Sequence, residues 1–393
     1  MDRTFFHAKR PWSVYKDSIL NYYLDPYIPK VATQQKPILI VDCFAGCGRF
    51  EDGTNGSPVI ICETIRKWRE KGFRISGEFI EADPINFASL KHALQPYSAF
   101  ADCHHSTFAV RLADLTRKAQ THSLFLYVDP YSVRGLKFQL MRQVFEQIRA
   151  SGSSVEVLLN WNPVAFLRWG KSALKSVADE TQSVIDSGGD FLADDPEDPV
   201  QLTELDEIAG GPYWRSIASN STISFAESLN RLTEAYCQSL HGSFAFVARY
   251  PVKEKYKHTV PKYFLVFGTR HPDGIELMND AMCSARRAFL GSEFVTGRLF
   301  DTTPDEEIAD LTTVKAAIRV AFQARREMTR KELRQMLFLE QNLFGKYRNA
   351  EINCAVGEML KAKGPTLYSK TGRTRINDGV QLALHPFGMT APR

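Results

Sequence analysis

Residues 38–53 constrain this chain most. Ile38, Leu39, Ile40 and Val41 run into Asp42, and the chain then turns through Gly46 and Gly48. Consecutive apolar residues ending on an acid and followed by glycines predict a buried strand that opens into a loop whose backbone can approach a ligand closely. That is the opening of a nucleotide-binding α/β unit. The spacing D-x-F-x-G-x-G lacks the third glycine of a dinucleotide fingerprint, so a dehydrogenase is a poor fit. S-adenosylmethionine (SAM) suits it better. Its site needs an acid for the ammonium or ribose, small residues where the methionine portion crosses the strand end, and a second acid after the next strand. Asp42, Gly46, Gly48 and Glu81 supply these types in order, and Phe44 joins the same cofactor-binding set. The competing reading is a tight βα turn with no ligand.

Downstream, strands alternate with helices. Strand 38–42 precedes a helix over 58–70, strand 76–81 a helix over 84–94, strand 97–101 a helix over 107–120, and strand 123–128 a helix over 137–149; a fifth strand covers Val155 to Leu159. This alternation predicts a parallel sheet wound on both faces, with ligands at the carboxyl ends of the strands. Asp42, Glu81, Asp102, Asp129 and Asn160 are expected at those ends. A carboxylate at Glu81 can accept from a ribose diol, and one at Asp102 from an adenine amino group. Each acid alone could simply cap the helix that follows.

Asp129-Pro130-Tyr131 closes the fourth strand. Enzymes that methylate the exocyclic amine of a base place Asp or Asn, then Pro-Pro and an aromatic, at this position, so that polar groups hold the amine and the ring stacks the base. One proline is missing here. Asp129, Pro130 and Tyr131 are the candidate catalytic residues, against a reading as a turn that walls a pocket.

Ahead of the first strand, Val14, Ile19, Tyr22, Tyr23 and Tyr27 recur at helical spacing, which predicts a helix that starts after Pro11 and is ended by Pro26 and Pro29. Residues 160–240 read as an insertion. Between Asp179 and Glu207 stand 11 acids and no Lys or Arg, with Gly188, Gly189, Pro196 and Pro199 breaking any helix; a solvated loop, or an acidic flap, is expected. Strands at 243–250 and 262–269 then form an antiparallel pair that completes a seven-stranded sheet, and a helix over 275–289 ends the region.

The domain plan is an N-terminal helical extension (1–36), a methyltransferase-like domain (37–290), a polar linker (291–310) and a C-terminal domain (311–393). From Thr313 onward there are 15 Lys and Arg against 6 Asp and Glu, so this segment carries +9 while the rest of the chain carries −5. Helices over 311–325, from Thr329 with Glu332 as its capping partner, and over 349–361, followed by strands around Leu367–Ser369 and 380–384, predict a winged helix. Arg348, Lys361, Lys370, Arg373 and Arg375 are its candidate nucleic-acid contacts. Winged helices also dock proteins.

Among the seven cysteines, Cys43 and Cys47 are four apart with no second pair at metal-site spacing, so thiols in a reducing compartment are expected and no metal site. His104 and His105 read as an exposed βα loop. Residues 1–7 lack the apolar stretch of a signal peptide, no segment reaches the length of a membrane span, and the expectation is the cytoplasm.

Several of these motifs together resemble the three-Cys-motif partner proteins (TcmP), a methyltransferase-like group of bacteria and their mobile elements. The resemblance lies in residues 9–16 (KRPWSVYK), 41–53 (VDCFAGCGRFEDG) with Gly56-Ser57-Pro58, 79–84 (FIEADP), 128–131 (VDPY) and 263–272 (YFLVFGTRHP). It implies a SAM-binding fold and association with a radical-SAM-like protein that bears the three-cysteine motif; the cysteines of the name belong to that partner. The expectation is a class I SAM-dependent methyltransferase with an acidic insertion and a C-terminal winged helix, acting on nucleic acid. The alternative is a non-catalytic nucleic-acid-binding adaptor or sensor with a SAM-like pocket.

Overall fold

The computed structural model describes residues 11–150, 152–177, 200–253, 260–290, 311–362, 367–374 and 376–384. The chain divides into two compact units, Met1–Arg270 and His271–Arg393. The predicted linker at 291–310, most of the acidic segment (178–199) and Arg375 lie outside the described residues.

In unit 1, α1 (Pro11–Ala32) leads into β1 (Ile38–Asp42), α2 (Ser57–Arg69), β2 (Ile75–Glu81), α3 (Pro84–Ala93), β3 (Ala101–His105), α4 (Phe108–Ala119), β4 (Ser123–Val128), α5 (Phe138–Ala150) and β5 (Val155–Trp161). Helices α6 (Pro163–Val177), α7 (Leu202–Ala209), α8 (Trp214–Ala218) and α9 (Phe225–Leu240) follow, then β6 (Phe246–Val252) and β7 (Tyr263–Thr269). The sheet order is β3-β2-β1-β4-β5-β7-β6. β1 to β5 pair in parallel, and β7 runs antiparallel to both β5 and β6. This is the seven-stranded arrangement of class I methyltransferases.

Side chains alternate along each strand, so the sheet has two distinct faces. Leu39, Val41, Leu124, Leu126, Val128, Val157, Leu159 and Trp161 form one cluster with residues of α4–α9. The opposite face carries Ile40, Phe79, Phe125 and Phe267, against which α1 lays Tyr23 and Tyr27. Glu156 is buried on this second face, accepting from Tyr23 and, at 2.8 Å, from Thr269 Oγ1.

Four expectations are corrected in this unit. Pro26 and Pro29 do not end α1, which runs through both to Ala32. Pro26 and Tyr22, four residues before it, are exposed, so water can take the carbonyl that the proline leaves unbonded, while buried Tyr27, Ile28 and Val31 hold the last turns on the sheet. The third strand is Ala101–His105, because Gln95–Tyr97 forms a 3₁₀ turn instead. His104 and His105 therefore end an edge strand rather than lie in a loop. Acids 204, 206 and 207 belong to α7, whose Leu205, Ile208 and Ala209 are buried, so this part of the acidic segment is packed helix.

Unit 2 holds α10 (Pro272–Leu290), α11 (Thr312–Ala324), β8 (Glu327–Thr329), α12 (Arg330–Leu339), α13 (Asn349–Lys361), β9 (Leu367–Ser369) and β10 (Gln381–Leu384). The strands form an antiparallel sheet in the order β8-β10-β9. The capping box at Thr329 and Glu332 starts α12 as its sequence indicates. α10, assigned from sequence to the end of the preceding domain, belongs to this unit: Asn279 bonds Gly345 N and Tyr347 O, and Asp280 bonds Asn349 N, at 2.8–2.9 Å. Arg334, 2% exposed, ties the unit together through Glu276, Asn353 and Asp378, all at 2.8–3.1 Å. Among the described residues no helix is long and apolar enough to cross a membrane.

Candidate functional site

The register places Asp42 opposite Phe79, so Glu81 extends two residues beyond it on the same face of the adjacent strand. Both carboxylates engage one loop. Glu81 Oε2 accepts from Gly46 N at 2.7 Å, and its Oε1 accepts from Asp83 N at 2.7 Å. Asp42, fully buried, accepts from Phe44 N at 3.3 Å and from Ser57 Oγ at 2.7 Å. Burial raises the Asp42 carboxyl to about 7 against the opposing pull of these two bonds, and the nearby charges of Asp129 and Asp17 push the same way as burial.

Gly46 and Gly48 have φ of +63° and +79°, in the left-handed region. A Cβ on Gly48 would stand 3.0 Å from Ala93 Cβ and 3.3 Å from Leu90 Cδ1, so glycine there lets the loop close onto α3. Phe44 turns its ring edge-on to Phe108 at 5.7 Å. It also meets Pro130 across Gly135, where an added Cβ would lie 2.9 Å from Phe44 and 3.0 Å from Pro130. Cys43 is buried, and Cys47 Sγ donates to Arg49 O, so both thiols are absorbed by packing and loop bonding.

Asp129, one residue past β4, collects donors from three elements. Asn160 Nδ2 donates to Oδ1 at 2.7 Å, Tyr127 Oη donates to Oδ2 at 3.1 Å, and Lys16 of α1 pairs with Oδ2. The side chains of Lys16 and Asp129 are 11% and 20% exposed. The Lys16 ammonium also lies 5.3 Å from the centre of the Tyr263 ring. Burial, followed by the charge of Asp129, holds the Tyr127 and Tyr263 hydroxyls well above the usual phenol range. Pro130 and Tyr131 are partly exposed beside this cluster.

Asp42, Phe44, Gly46, Gly48, Glu81, Asp129 and Pro130 thus converge at the carboxyl ends of β1, β2 and β4. Asp102 does not. It is the second residue of β3, exposed and opposite Glu78, near the strand's amino end. The carboxyl end of β3 belongs to His105, which stacks on Phe87 at 4.9 Å and contacts Ala82 O at 3.1 Å, and to Ser106, whose N–H donates to Glu81 O. Lys16, like Ser57, Tyr127 and Tyr263, is a member of the site that sequence reasoning missed. Its signal was available, since it closes the KRPWSVYK segment, but helical periodicity alone cannot say which strand end a lysine reaches.

In unit 2 the proposed nucleic-acid residues are dispersed. Arg348 is partly buried and donates to Ser284 Oγ at 3.2 Å, and Lys370 pairs with Glu327. Lys361 and Arg373 are exposed. The exposed positions of α13 are Ala350, Cys354, Glu358 and Lys361, which carry no excess of positive charge.

The chain is similar in structure to a protein from Legionella pneumophila described by the family model DUF519 (11% identity, TM-score 0.42, covering 74% of this chain and 95% of that one). It is also similar to a plantazolicin methyltransferase in complex with a triazolic desmethylPZN analog and SAH (10% identity, TM-score 0.27, covering 65% and 84%) and to the methyltransferase domain of bacterial CtHen1-C (10% identity, TM-score 0.31, covering 64% and 98%). No protein-family model matches the chain, and no curated protein matches it. By strand order and connectivity, the fold is class I methyltransferase-like.

Proposed function

We propose that unit 1 binds SAM at the carboxyl ends of β1 and β2 and transfers its methyl group to an amine held at Asp129. One observation carries this reading: Asp42 and Glu81, on one face of adjacent parallel strands, both bond the backbone of the same glycine loop. The residues fit the cofactor. Each Glu81 oxygen accepts one backbone N–H and keeps a lone pair for a ribose diol, while ionised Asp42 suits an ammonium. His105 and Ser106 take the adenine side that Asp102 cannot reach. Bound SAM supplies an electrophilic methyl on a sulfonium. Asp129 and Tyr131 orient the acceptor, and positioning supplies most of the rate.

The acceptor proposed is a base in nucleic acid, with unit 2 as a nucleic-acid-binding module and a three-Cys-motif protein as partner. The order α11-β8-α12-α13-β9-β10 supports a winged helix. Its phosphate contacts would rest on Lys361 and Arg373 rather than on Arg348. A second reading, a non-catalytic adaptor, draws on Asp129, whose carboxylate already accepts from Lys16, Tyr127 and Asn160.

Tritiated-SAM labelling of total DNA, RNA and protein, with and without the partner, tests the proposal. Label in a nucleic-acid pool that Asp129→Ala abolishes, with SAM binding retained, supports it. Label confined to other proteins contradicts the nucleic-acid acceptor, and no transfer despite SAM binding favours the adaptor.

A further inference from the structure

The acceptor end of the site already contains an amine. Lys16 Nζ pairs with Asp129 Oδ2, faces the Tyr263 ring at 5.3 Å and sits beside the Tyr127 hydroxyl that shares the same carboxylate oxygen. A carboxylate, a phenol and an aromatic face around one nitrogen are the groups that recognise a primary ammonium and its methylated forms. An independent feature points the same way. Asn160 Oδ1 is buried and accepts no hydrogen bond from any of the described residues, although its Nδ2 donates to Asp129. The amide cannot be turned the other way without setting its oxygen against the carboxylate, so the cluster retains a buried acceptor for an N–H beside Asp129.

We propose that Lys16 is itself a methyl acceptor, and that the protein methylates its own N-terminal helix at this nitrogen. This rests on the reading above that SAM binds between Asp42 and Glu81. Asp129 removes one proton from the Lys16 ammonium. The freed lone pair forms a bond to the sulfonium methyl carbon as the carbon–sulfur bond breaks and its electron pair passes to sulfur. The products are a positively charged N-methyl-lysine and S-adenosylhomocysteine, and Asp129 returns its proton to water. α1 thereby acts as a tethered substrate on the carboxylate where an external amine would dock, and the nitrogen's extra methyl weakens the hydrogen bonding that holds it there.

The test incubates the full-length protein with tritiated SAM, with no nucleic acid or partner, and maps label by peptide mass spectrometry, with SAM binding measured in parallel by calorimetry. The expected result is label on the peptide containing Lys16, a gain of one CH2 in mass, and slower tryptic cleavage after Lys16. Label should fall to background in Lys16→Arg and in Asp129→Asn while both variants still bind SAM. SAM binding by the wild type without label at Lys16, or with label on a different lysine, overturns the proposal and leaves the cofactor reading standing. Absence of SAM binding removes the cofactor reading and this proposal with it. Because the mapping uses the wild-type chain, a variant that fails to fold does not decide the outcome.

Discussion

Replacing Glu156 by Gln should stabilise unit 1 at high pH and not at low pH. Glu156 is fully buried where α1 meets the sheet, and burial raises its carboxyl from 4.5 to about 7 against the lowering effect of the bonds from Tyr23 and Thr269. The native state therefore keeps this proton to a higher pH than the unfolded chain does. The resulting stability is fully present below the unfolded value and is lost as pH rises through the folded one. At about 1.4 kcal/mol per pH unit, the displacement corresponds to roughly 3 kcal/mol. Gln cannot ionise and keeps a carbonyl oxygen for Tyr23 or Thr269. All five tryptophans lie before Arg270, so tryptophan fluorescence during urea unfolding reports on unit 1. Between about pH 4 and about pH 8 the advantage of Glu156→Gln over wild type should grow by roughly 3 kcal/mol. A difference that stays constant over that range would refute the reasoning.

Gly48→Ala must place a side chain at φ +79° and 3.0 Å from Ala93 Cβ; it should cost about 1–3 kcal/mol by thermal unfolding and weaken SAM binding more than that loss alone would. SAM affinity, if it depends on ionised Asp42, should rise with pH through about 7; Ser57→Ala removes a bond that favours the ionised form, and calorimetry across pH should show that rise moved upward. Arg334→Met leaves largely buried Glu276 without its guanidinium, while half-exposed Asp378 keeps Arg330; it should destabilise unit 2 by about 3 kcal/mol, read as faster amide exchange in α12, α13 and β10. Adding Glu276→Gln should recover part of that loss.

The strands buried on both faces are legible from their unbroken apolar runs. The apolar run 123–128 coincides with β4, and the glycine loop is marked by residue types that few other local structures require. β3 escapes a sequence reading because an edge strand with exposed Asp102 and polar His104 and His105 carries little apolar signal; its position is set by pairing with β2, a tertiary fact. The same limit explains Asp102, which has the right residue type at the wrong end of the strand. A local rule makes the prolines of α1 helix breakers, whereas packing of Tyr27, Ile28 and Val31 carries the helix through them. Lys16 was visible as a residue and not as a partner, because a contact across 113 positions leaves no trace in periodicity.

The central claim is that Asp42, Glu81 and the glycine loop between them form one adenosyl-methionine site, and titration calorimetry addresses it most directly. Wild-type protein should bind SAM with micromolar affinity, Glu81→Ala and Asp42→Ala should each weaken it at least tenfold, and Asp102→Ala should leave it unchanged. No heat at millimolar SAM, or equal affinity in all four proteins, would contradict the account.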